Sequence, residues 1–422
     1  MKPFALLVVA LLAAAVVVVP EPSPPSADPF GAPAPATFAV CPVGEAARRS
    51  TTVDLVGGSE GDVTARVFSA GEIPVEETYT MPTSGDLEIE VSELTGLATS
   101  PVLVSLPEAA TRVAALLRGD GIAVTGCDAG SPDTVVVSGG STSEGETFTL
   151  LLANPFSGTA TVGLGLSSEV GTESNPDLDQ VVVPPRSLVA LDLSAQMPAR
   201  QVMSVAVTPE EGRVVAGAVQ EGSGDVAAIS GHVAQVDWFL PIPEFEDVGT
   251  TLVLAAPGST EVPYQLDVYG PDGLVEAAHE GTIPARGQEL VPVSDLLEGP
   301  GVIRVVAAGP VSSVLRLAGE GARALIPGVS GAATSWMLPG AARLGPTDVH
   351  VFNPGEIEAV VSVRDGSGEV IEEADLGGGS WTTVRVPEGS SGVRVESDTD
   401  LIVTWTAFTG AGLAGDAAQV SG

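Results

Sequence analysis

The stretch HVFNPGEIEAVVSVRDGSGEV, residues 350–370, decides the fold because it joins two apolar, β-branched runs, one ended by Asn-Pro and the other by a glycine-rich turn. Its first half recurs three times, as TTVDLVGG at 51–58, TFTLLLANP at 147–155 and TTLVLAAPG at 250–258. Val- and Thr-rich runs that stop at Gly, Pro or Asn are typical of β-strands. The recurrence therefore predicts one β unit, repeated four times.

The spacing of these repeated strands indicates the size of the unit. Strands that begin at 51, 147, 250 and 347 are separated by 96, 103 and 97 residues, which is the length of a β-sandwich domain. Each unit has about seven predicted strands, ending with a hairpin and a short tail. The tails are GIAVTGC, DVAAISG, RALIPGVSG and GDAAQVSG. We expect an all-β fold of four tandem immunoglobulin-like β-sandwiches.

The N-terminus differs in composition from the repeats. Residues 4–19 are uncharged and, as a helix, would span roughly 24 Å, less than the hydrocarbon core of a bilayer. This favours a secretory signal, either removed or kept as an anchor. The predicted boundaries are 1–19 for a signal peptide or signal anchor, 20–37 for a Pro-rich linker, and 38–131, 132–232, 233–331 and 332–422 for the four sandwich units. We expect an exported protein, either extracellular or in the cell envelope, where residues 4–19 could anchor it.

The charge of the chain limits its partners. It has 54 acidic and 17 basic residues, a formal charge of -37, and a single lysine, Lys2. Such a surface repels nucleic acid and anionic lipid. We expect no nucleic-acid partner, and membrane contact only through the N-terminal segment. The alternative reading is that an acidic surface mainly confers solubility.

Two cysteines, Cys41 and Cys127, lie near the start and end of the first unit. An even pair in an exported chain predicts a disulfide. Closing a loop of this length stabilises the fold by about 4.5 kcal/mol in the chain-entropy model. Two buried free thiols are the alternative.

The Asn-Pro pairs at Asn154 and Asn353 end the repeated strand, since proline removes a ladder donor and asparagine suits turns. Asn175 also precedes a proline, so the chain has no N-glycosylation sequon. These strand ends, together with VVVPPRSLVALDLS before the middle strand of unit two, resemble secreted actinobacterial proteins that form a family of unknown function with tandem β-sandwich repeats. The resemblance implies at most a role at the cell envelope, and it transfers no catalytic residue.

The sequence shows no arrangement of residues typical of a catalytic site. The three histidines, His232, His279 and His350, lie in or beside different units and lack the spacing of zinc motifs. The one G-x-S-x-G match, residues 57–61, joins two predicted strands without a histidine in its unit, so we interpret it as a hairpin. A phosphate-binding loop needs a lysine, and none follows Lys2.

Two residue patterns leave binding open. Acidic loops place oxygen atoms on alternate residues, as calcium loops do, although turn chemistry alone also explains them. Their candidate metal ligands are Asp365, Glu369, Glu221, Asp225, Asp398 and Asp400. Trp238 and Trp336 occupy matching positions in units three and four, and are either sugar-stacking platforms or core residues. Their apolar neighbours favour the core. We expect no cofactor, with calcium as the one alternative.

These patterns favour a non-catalytic protein. We expect an exported rod of four sandwiches that acts as a cell-envelope scaffold, adhesin or assembly accessory and binds envelope polysaccharide or another envelope protein. The first alternative is a carbohydrate-binding module array, which needs exposed aromatic residues, although only 4% of residues are aromatic. The second is a glycoside-acting enzyme with paired carboxylates.

Overall fold

A computed structural model describes residues 38–42, 49–57, 60–67, 75–91, 102–106, 111–130, 133–222, 224–244, 248–319, 321–410 and 412–420. These residues belong to one compact unit of the chain. The predicted signal and linker, residues 1–37, lie outside the described residues, as do Gly58 and Ser59 of the G-x-S-x-G match. Within the described ranges, no helix has the length and hydropathy needed to cross a bilayer.

Strands account for nearly all of the regular structure. Unit one contains β1 (Phe38–Cys41), β2 (Arg49–Val56), β3 (Gly61–Val67), β4 (Val75–Met81), β5 (Asp86–Glu90), β6 (Val102–Ser105), β7 (Arg112–Gly119) and β8 (Gly121–Gly126). Unit two contains β9 (Val135–Gly140), β10 (Glu146–Asn154), β11 (Ala160–Ser168), β12 (Gly171–Glu173), β13 (Val181–Val183), β14 (Ser187–Asp192), the short helix α1 (Leu193–Gln196), β15 (Met203–Glu211), β16 (Val215–Gly222), β17 (Asp225–Ser230) and β18 (His232–Val233).

The second half of the chain is built in the same way. Unit three contains β19 (Gln235–Ile242), β20 (Val248–Ala255), β21 (Val262–Gly270), β22 (Gly273–Ile283), β23 (Gln288–Pro292), a 3-10 turn (Val293–Asp295), β24 (Gly301–Gly319) and β25 (Ala322–Pro327). Unit four contains β26 (Ala333–Met337), β27 (Thr347–Phe352), β28 (Ala359–Arg364), β29 (Val370–Leu376), β30 (Trp381–Val386), β31 (Arg394–Thr409), β32 (Gly412–Ala417) and β33 (Gln419–Val420).

The strand order repeats along the chain. In unit one the two sheets are β4-β3-β6-β1 and β5-β2-β7-β8, all antiparallel, and the equivalent strands of the later units pair in the same order. Each pair of sheets encloses an apolar core. The all-β sandwich class predicted from the sequence is confirmed, whereas the domain boundaries stay predictions.

The predicted hairpin before each tail is wrong. In units three and four that segment is one continuous strand, β24 or β31, which pairs first in one sheet and then in the other. The register of β24 shifts between Val306 and Val311, around Gly309-Pro310. Proline lacks an N–H group, so the ladder is interrupted there and the chain crosses between sheets.

Both Asn-Pro turns are held by a buried asparagine side chain. Asn353 Nδ2 donates to the carbonyls of Ile357 at 2.8 Å and Leu376 at 2.9 Å, and Asn154 Nδ2 donates to Gly158 and Val183 in the same way. The asparagine therefore fastens the turn to the end of a neighbouring strand, which explains why this part of the quoted stretch recurs.

The four tail strands, β8, β17, β25 and β32, carry apolar residues on both faces. One face of each, which includes an alanine at the third position, packs into the core of its own unit; these alanines are Ala123, Ala227, Ala324 and Ala414. The opposite face packs into the core of the preceding unit, and unit one packs into unit four. The residues concerned are Val226 and Ala228 in the core of unit one, Leu325 in that of unit two, Leu413 in that of unit three, and Ile122 and Val124 in that of unit four.

These contacts form a closed cycle, because β8 of unit one touches β32 of unit four as well as β17 of unit two. The expectation of a rod, in which a unit meets only its neighbours in sequence, is wrong. A strand that is apolar on both faces needs two partners, and the second partner here is the neighbouring sandwich.

The predicted disulfide between Cys41 and Cys127 is present. It links β1 to the residue that follows the tail strand β8, with Cα atoms 4.4 Å apart. The bond therefore fixes the end of β8, the tail strand through which unit one contacts units two and four.

Candidate functional site at the tail-strand axis

The tail strands meet at their first residues, where the four units contribute Gly121, Asp225, Ala322 and Gly412. Three of these residues are small, and the fourth places a carboxylate among them. A Cβ added at Gly121 or at Gly412 would lie 2.4 Å from Asp225 Oδ1. Both glycines also have positive φ, 101° and 148°. The site thus has room for one side chain, and Asp225 fills it.

The Asp225 carboxylate faces backbone donors from all four units. Val226 N–H donates to Oδ1 at 2.8 Å. The N–H groups of Arg323, Ile122 and Leu413 lie close enough to lower the pKa of Asp225, although burial outweighs them and the pKa is raised. The second oxygen, Oδ2, is buried with no hydrogen-bond partner among the described residues. This carboxylate therefore connects units rather than facing solvent.

A second buried carboxylate lies at the other end of the tail strands. Burial raises the pKa of Asp416 to about 7, while hydrogen bonds from Ala417 and Gly126 lower it. The Ala417 donor lies 2.9 Å from Oδ1. Beside it, Thr125 Oγ1 and Ser230 Oγ of units one and two are 2.9 Å apart, and Ser230 also donates to the carbonyl of Gly126. Polar groups at this end also cross unit boundaries.

Units four and one meet through Arg343, in the loop between β26 and β27. Its guanidinium contacts Asp54 Oδ1 at 3.3 Å, Asp86 Oδ2 at 2.6 Å and Glu88 Oε2 at 3.6 Å. Gly340 N–H donates to Asp54 Oδ2 at 2.7 Å. Burial raises the pKa of Asp54 to about 7, against the opposing effect of Arg343.

A further contact stabilises this junction, since Arg118 lies 3.2 Å from Glu88 and also donates to the carbonyl of Arg343. Two guanidinium groups thus meet three carboxyl groups. Three ionised carboxyl groups would leave one negative charge without a guanidinium partner. A proton on the most buried carboxyl, Asp54, removes that charge near neutral pH. The cluster joins unit four to unit one, because Arg343 belongs to the former and the three carboxyl groups to the latter. It also buries Asp54, which is only 1% exposed.

Units two and three are joined by hydroxyl and ionic contacts. Ser312 Oγ lies 3.2 Å from Ser138 Oγ and 2.8 Å from His232 Nε2. Arg323 pairs with Glu146 at 2.7 Å, and this bond helps to lower the pKa of the Glu146 carboxyl against the effect of burial. Charged and polar residues therefore lie at this junction as they do between units four and one.

The three histidines do not form one site. His350 is buried in unit four between Thr383 and Thr406, 3.1 and 2.9 Å away. Burial lowers the pKa of His350 and of His232 to about 4, so both are neutral at physiological pH. His279 lies on β22, 3.2 Å from the hydroxyl of Tyr264.

The matching tryptophans are core residues. Trp238 and Trp336 are 3% and 1% exposed, and their indole N–H groups donate to backbone carbonyls of their own units. The core interpretation is confirmed, so these two rings are not available as sugar-stacking platforms.

The calcium candidates are spread over the molecule. Asp365 and Glu369 share one turn, in which Asp365 Oδ1 accepts from Ser367 and from the Glu369 N–H. Asp398 accepts from Val360 N–H. Glu221 lies on β16 and Asp400 on β31, whereas Asp225 lies where the first residues of the four tail strands meet. The described residues contain no group of three acidic, histidine or cysteine side chains arranged for a metal ion. Calcium binding stays a prediction.

Sequence reasoning missed Asp54, Asp416 and Arg343. The available signal was an acidic residue inside an otherwise apolar strand, as in TTVDLV and GLAGDA. A buried strand tolerates such a residue only where another element supplies hydrogen-bond donors.

Comparison with known proteins gives a family match. The model of the family described as "Family of unknown function (DUF5719)" matches residues 107–232 and 225–422, more than half of the chain. No curated protein matches the sequence significantly.

Among solved structures, a biofilm-associated protein (BSP domain) aligns at 7% identity and a TM-score of 0.15, covering 88% of this chain and 90% of its own. A tetra-tandem repeat from the extending region of a large adhesion protein aligns at 14% identity and a TM-score of 0.11, covering 87% and 93%. Alpha-2-macroglobulin of E. coli aligns at 11% identity and a TM-score of 0.13, covering 92% and 29%. At TM-scores this low, the alignments carry no argument about this chain.

Proposed function

Since the chain belongs to DUF5719, a family of unknown function, we propose its role from its own architecture: an exported, non-catalytic binding scaffold of the cell envelope. The partner we propose is an envelope polysaccharide or another envelope protein. The observation that carries this proposal is the closed cycle, in which the tail strand of every unit completes the core of another. Such a cycle holds the outer faces of four sandwiches in fixed relative positions, which suits multivalent binding.

The placement of the perturbed acids favours a scaffold over an enzyme. Catalytic carboxyl groups with a raised pKa are expected in a cleft that admits substrate. Asp54, Asp225 and Asp416, whose pKa values burial raises, instead lie at contacts between units, at most 7% exposed. The glycoside-acting alternative therefore lacks a candidate acid in this group.

Export is supported by the disulfide and by the N-terminal sequence. Disulfides persist in oxidising compartments outside the cytoplasm, and Cys41–Cys127 fastens unit one. The apolar residues 4–19 would direct export and could retain the protein at the membrane. An acidic surface would keep the scaffold from binding anionic lipid headgroups.

A binding experiment on envelope fractions tests the proposal. The purified protein is incubated with wall polysaccharide, peptidoglycan and membrane protein fractions of the producing cell, and the retained fraction is measured against protein concentration. We expect saturable retention on one fraction, without release of reducing sugar. Retention on none of them would contradict a binding scaffold, and steady release of reducing sugar would favour the enzyme.

A further inference from the structure

A cleft of about 330 Å³ lies where unit two meets unit three. Its floor is the outer face of β11 and β15, where three cross-strand pairs lie side by side: Gly163 with Thr208, Gly165 with Ala206, and Ser167 with Ser204. The intervening residues of both strands point into the core of unit two. Small and hydroxyl-bearing side chains thus form a floor about 14 Å long, at ~3.4 Å per residue.

The wall of the cleft comes from unit three and is fixed to the floor. Ala255, Ala256 and Pro257 line one part of it, and Arg286 lines another. Thr172 of unit two donates to the carbonyl of Arg286 at 3.1 Å, and Gln288 donates across the junction to the carbonyl of Val202 at 3.0 Å. The cleft is therefore formed before any ligand arrives.

Two groups in the cleft lack partners. Ser204 is 2% exposed, and its hydroxyl is buried with no hydrogen-bond partner among the described residues. Arg286 is exposed at the rim, and its guanidinium has no ion pair or hydrogen bond with any described residue. Buried hydroxyl groups are normally satisfied. Ser204 lines the cleft, so rotation about its Cα–Cβ bond would turn the hydroxyl toward a bound ligand. A ligand that carries hydroxyl groups would then supply the missing partner.

Acceptors face these donors across the cleft. Asp179 and Glu210 line it, and a Cβ added at Gly163 would lie 3.2 Å from Glu210 Oε1. The other Glu210 oxygen already accepts from Gln180 at 2.7 Å. The Asp179 atom nearest the floor is its backbone carbonyl oxygen, 3.6 Å from a Cβ added at Gly163. A ligand held by the Glu210 carboxylate, the Asp179 carbonyl and the Arg286 guanidinium must both donate and accept hydrogen bonds, and it gains nothing from a net negative charge.

The backbone of the floor excludes a peptide strand as ligand. At the cleft, β15 pairs with β11 and β9, while the outer edge of β11 pairs with β13 at residues 160–162 and with β12 at residues 166–168. The edge between them, residues 163–165, is only three residues long and is flanked by a paired strand at each end, so a peptide strand has no room to add there. The ligand must therefore bind through the floor side chains and their hydroxyl groups.

We propose that this cleft binds a neutral saccharide, about two sugar rings long. The inference rests on the proposed function and names the ligand class of that scaffold. Sugar hydroxyls donate to Asp179 and Glu210 and accept from Arg286, while the glycine floor lets a ring approach the backbone closely.

The test is titration of the purified protein with glucose, galactose, mannose, arabinose, N-acetylglucosamine and their disaccharides, by calorimetry and saturation-transfer NMR at millimolar concentrations. Gly165→Leu fills the cleft without straining the chain, since a Cβ there makes only ordinary contacts with Ala206, to Cβ at 3.5 Å and to the carbonyl oxygen at 3.9 Å. Arg286→Gln removes the rim cation. Its matched control is Arg186→Gln, an exposed arginine with the same φ of 52° in the equivalent turn of unit two.

We expect one sugar to bind saturably, Gly165→Leu to weaken binding by more than about tenfold, Arg286→Gln to weaken it several-fold, and Arg186→Gln to leave it unchanged. Binding by no sugar in the panel, or equal binding by Gly165→Leu, would overturn the proposal. Retention on envelope fractions distinguishes this inference from the proposed function. If wild type and Gly165→Leu are retained equally and neither binds a sugar, the cleft proposal fails and the scaffold proposal stands. If wild type binds a sugar but no envelope fraction retains it, the scaffold proposal fails and the cleft proposal stands.

Discussion

Replacing Asp225 by alanine tests whether one carboxylate joins all four units. Val226 N–H loses its acceptor at 2.8 Å, and the N–H groups of Ile122, Arg323 and Leu413 lose the charge that faces them. A buried donor left unsatisfied costs about 1–3 kcal/mol. With four donors affected to different degrees, we expect the free energy of unfolding to fall by about 4–6 kcal/mol. Asp225→Asn keeps one oxygen acceptor, so we expect its free energy of unfolding to fall by only about 1–2 kcal/mol.

The assay is urea unfolding followed by tryptophan fluorescence. Every tryptophan lies in unit three or four, at Trp238, Trp336, Trp381 and Trp405, whereas the substitution lies in unit two. If the tryptophan signal unfolds at a lower urea concentration in the variant, the substitution in unit two has destabilised units three and four, and the units are coupled. Asp177→Ala, at an exposed position of unit two, is the matched control. An unchanged tryptophan midpoint in Asp225→Ala would refute the reasoning.

Three further predictions follow from buried polar groups. Folding raises the pKa of Asp416 from 3.8 to about 7, so this group's contribution to stability is present at acid pH and lost as pH rises through that window; in urea titrations Asp416→Asn should therefore gain about 2–4 kcal/mol over wild type between about pH 4 and pH 8. His232 and His350, whose pKa values burial lowers to about 4, should show imidazole NMR signals that do not shift between about pH 7.5 and 5.5, and a midpoint near the ordinary value would contradict this. Asn353→Ala should lower the free energy of unfolding by about 2–4 kcal/mol, since the partly buried bond to Ile357 and the buried bond to Leu376 are both lost. Asn175→Ala, at a half-buried position whose side-chain hydrogen bonds are exposed to solvent, should cost less than about 0.5 kcal/mol; equal losses would argue against the turn's role.

Local patterns were enough to predict the strands. The run that begins at Thr347 is β27, and the apolar neighbours of Trp336 correctly indicated a core position. The even pair of cysteines, near the start and end of one unit, correctly predicted the disulfide between Cys41 and Cys127. Each of these features depends on residues within one unit, where periodicity and turn chemistry determine the outcome.

The cycle could not be predicted from the same patterns, because it depends on contacts between units far apart in sequence. A signal existed, since GIAVTG and DVAAIS are apolar on both faces, which is typical of a strand covered twice. The sequence does not say which unit covers each strand. For the same reason the sequence does not reveal the donors around Asp225, since they come from four different segments.

The most direct test of the closed cycle is a double-mutant cycle between Asp86 of unit one and Arg343 of unit four, whose charged atoms lie 2.6 Å apart. The free energy of unfolding is measured by urea titration for wild type, Asp86→Asn, Arg343→Gln and the double variant. If units one and four are in contact, the two substitutions should be coupled by about 1–2 kcal/mol. Additive effects, within about 0.3 kcal/mol, would mean that the two residues do not meet and that the four units do not close into a cycle.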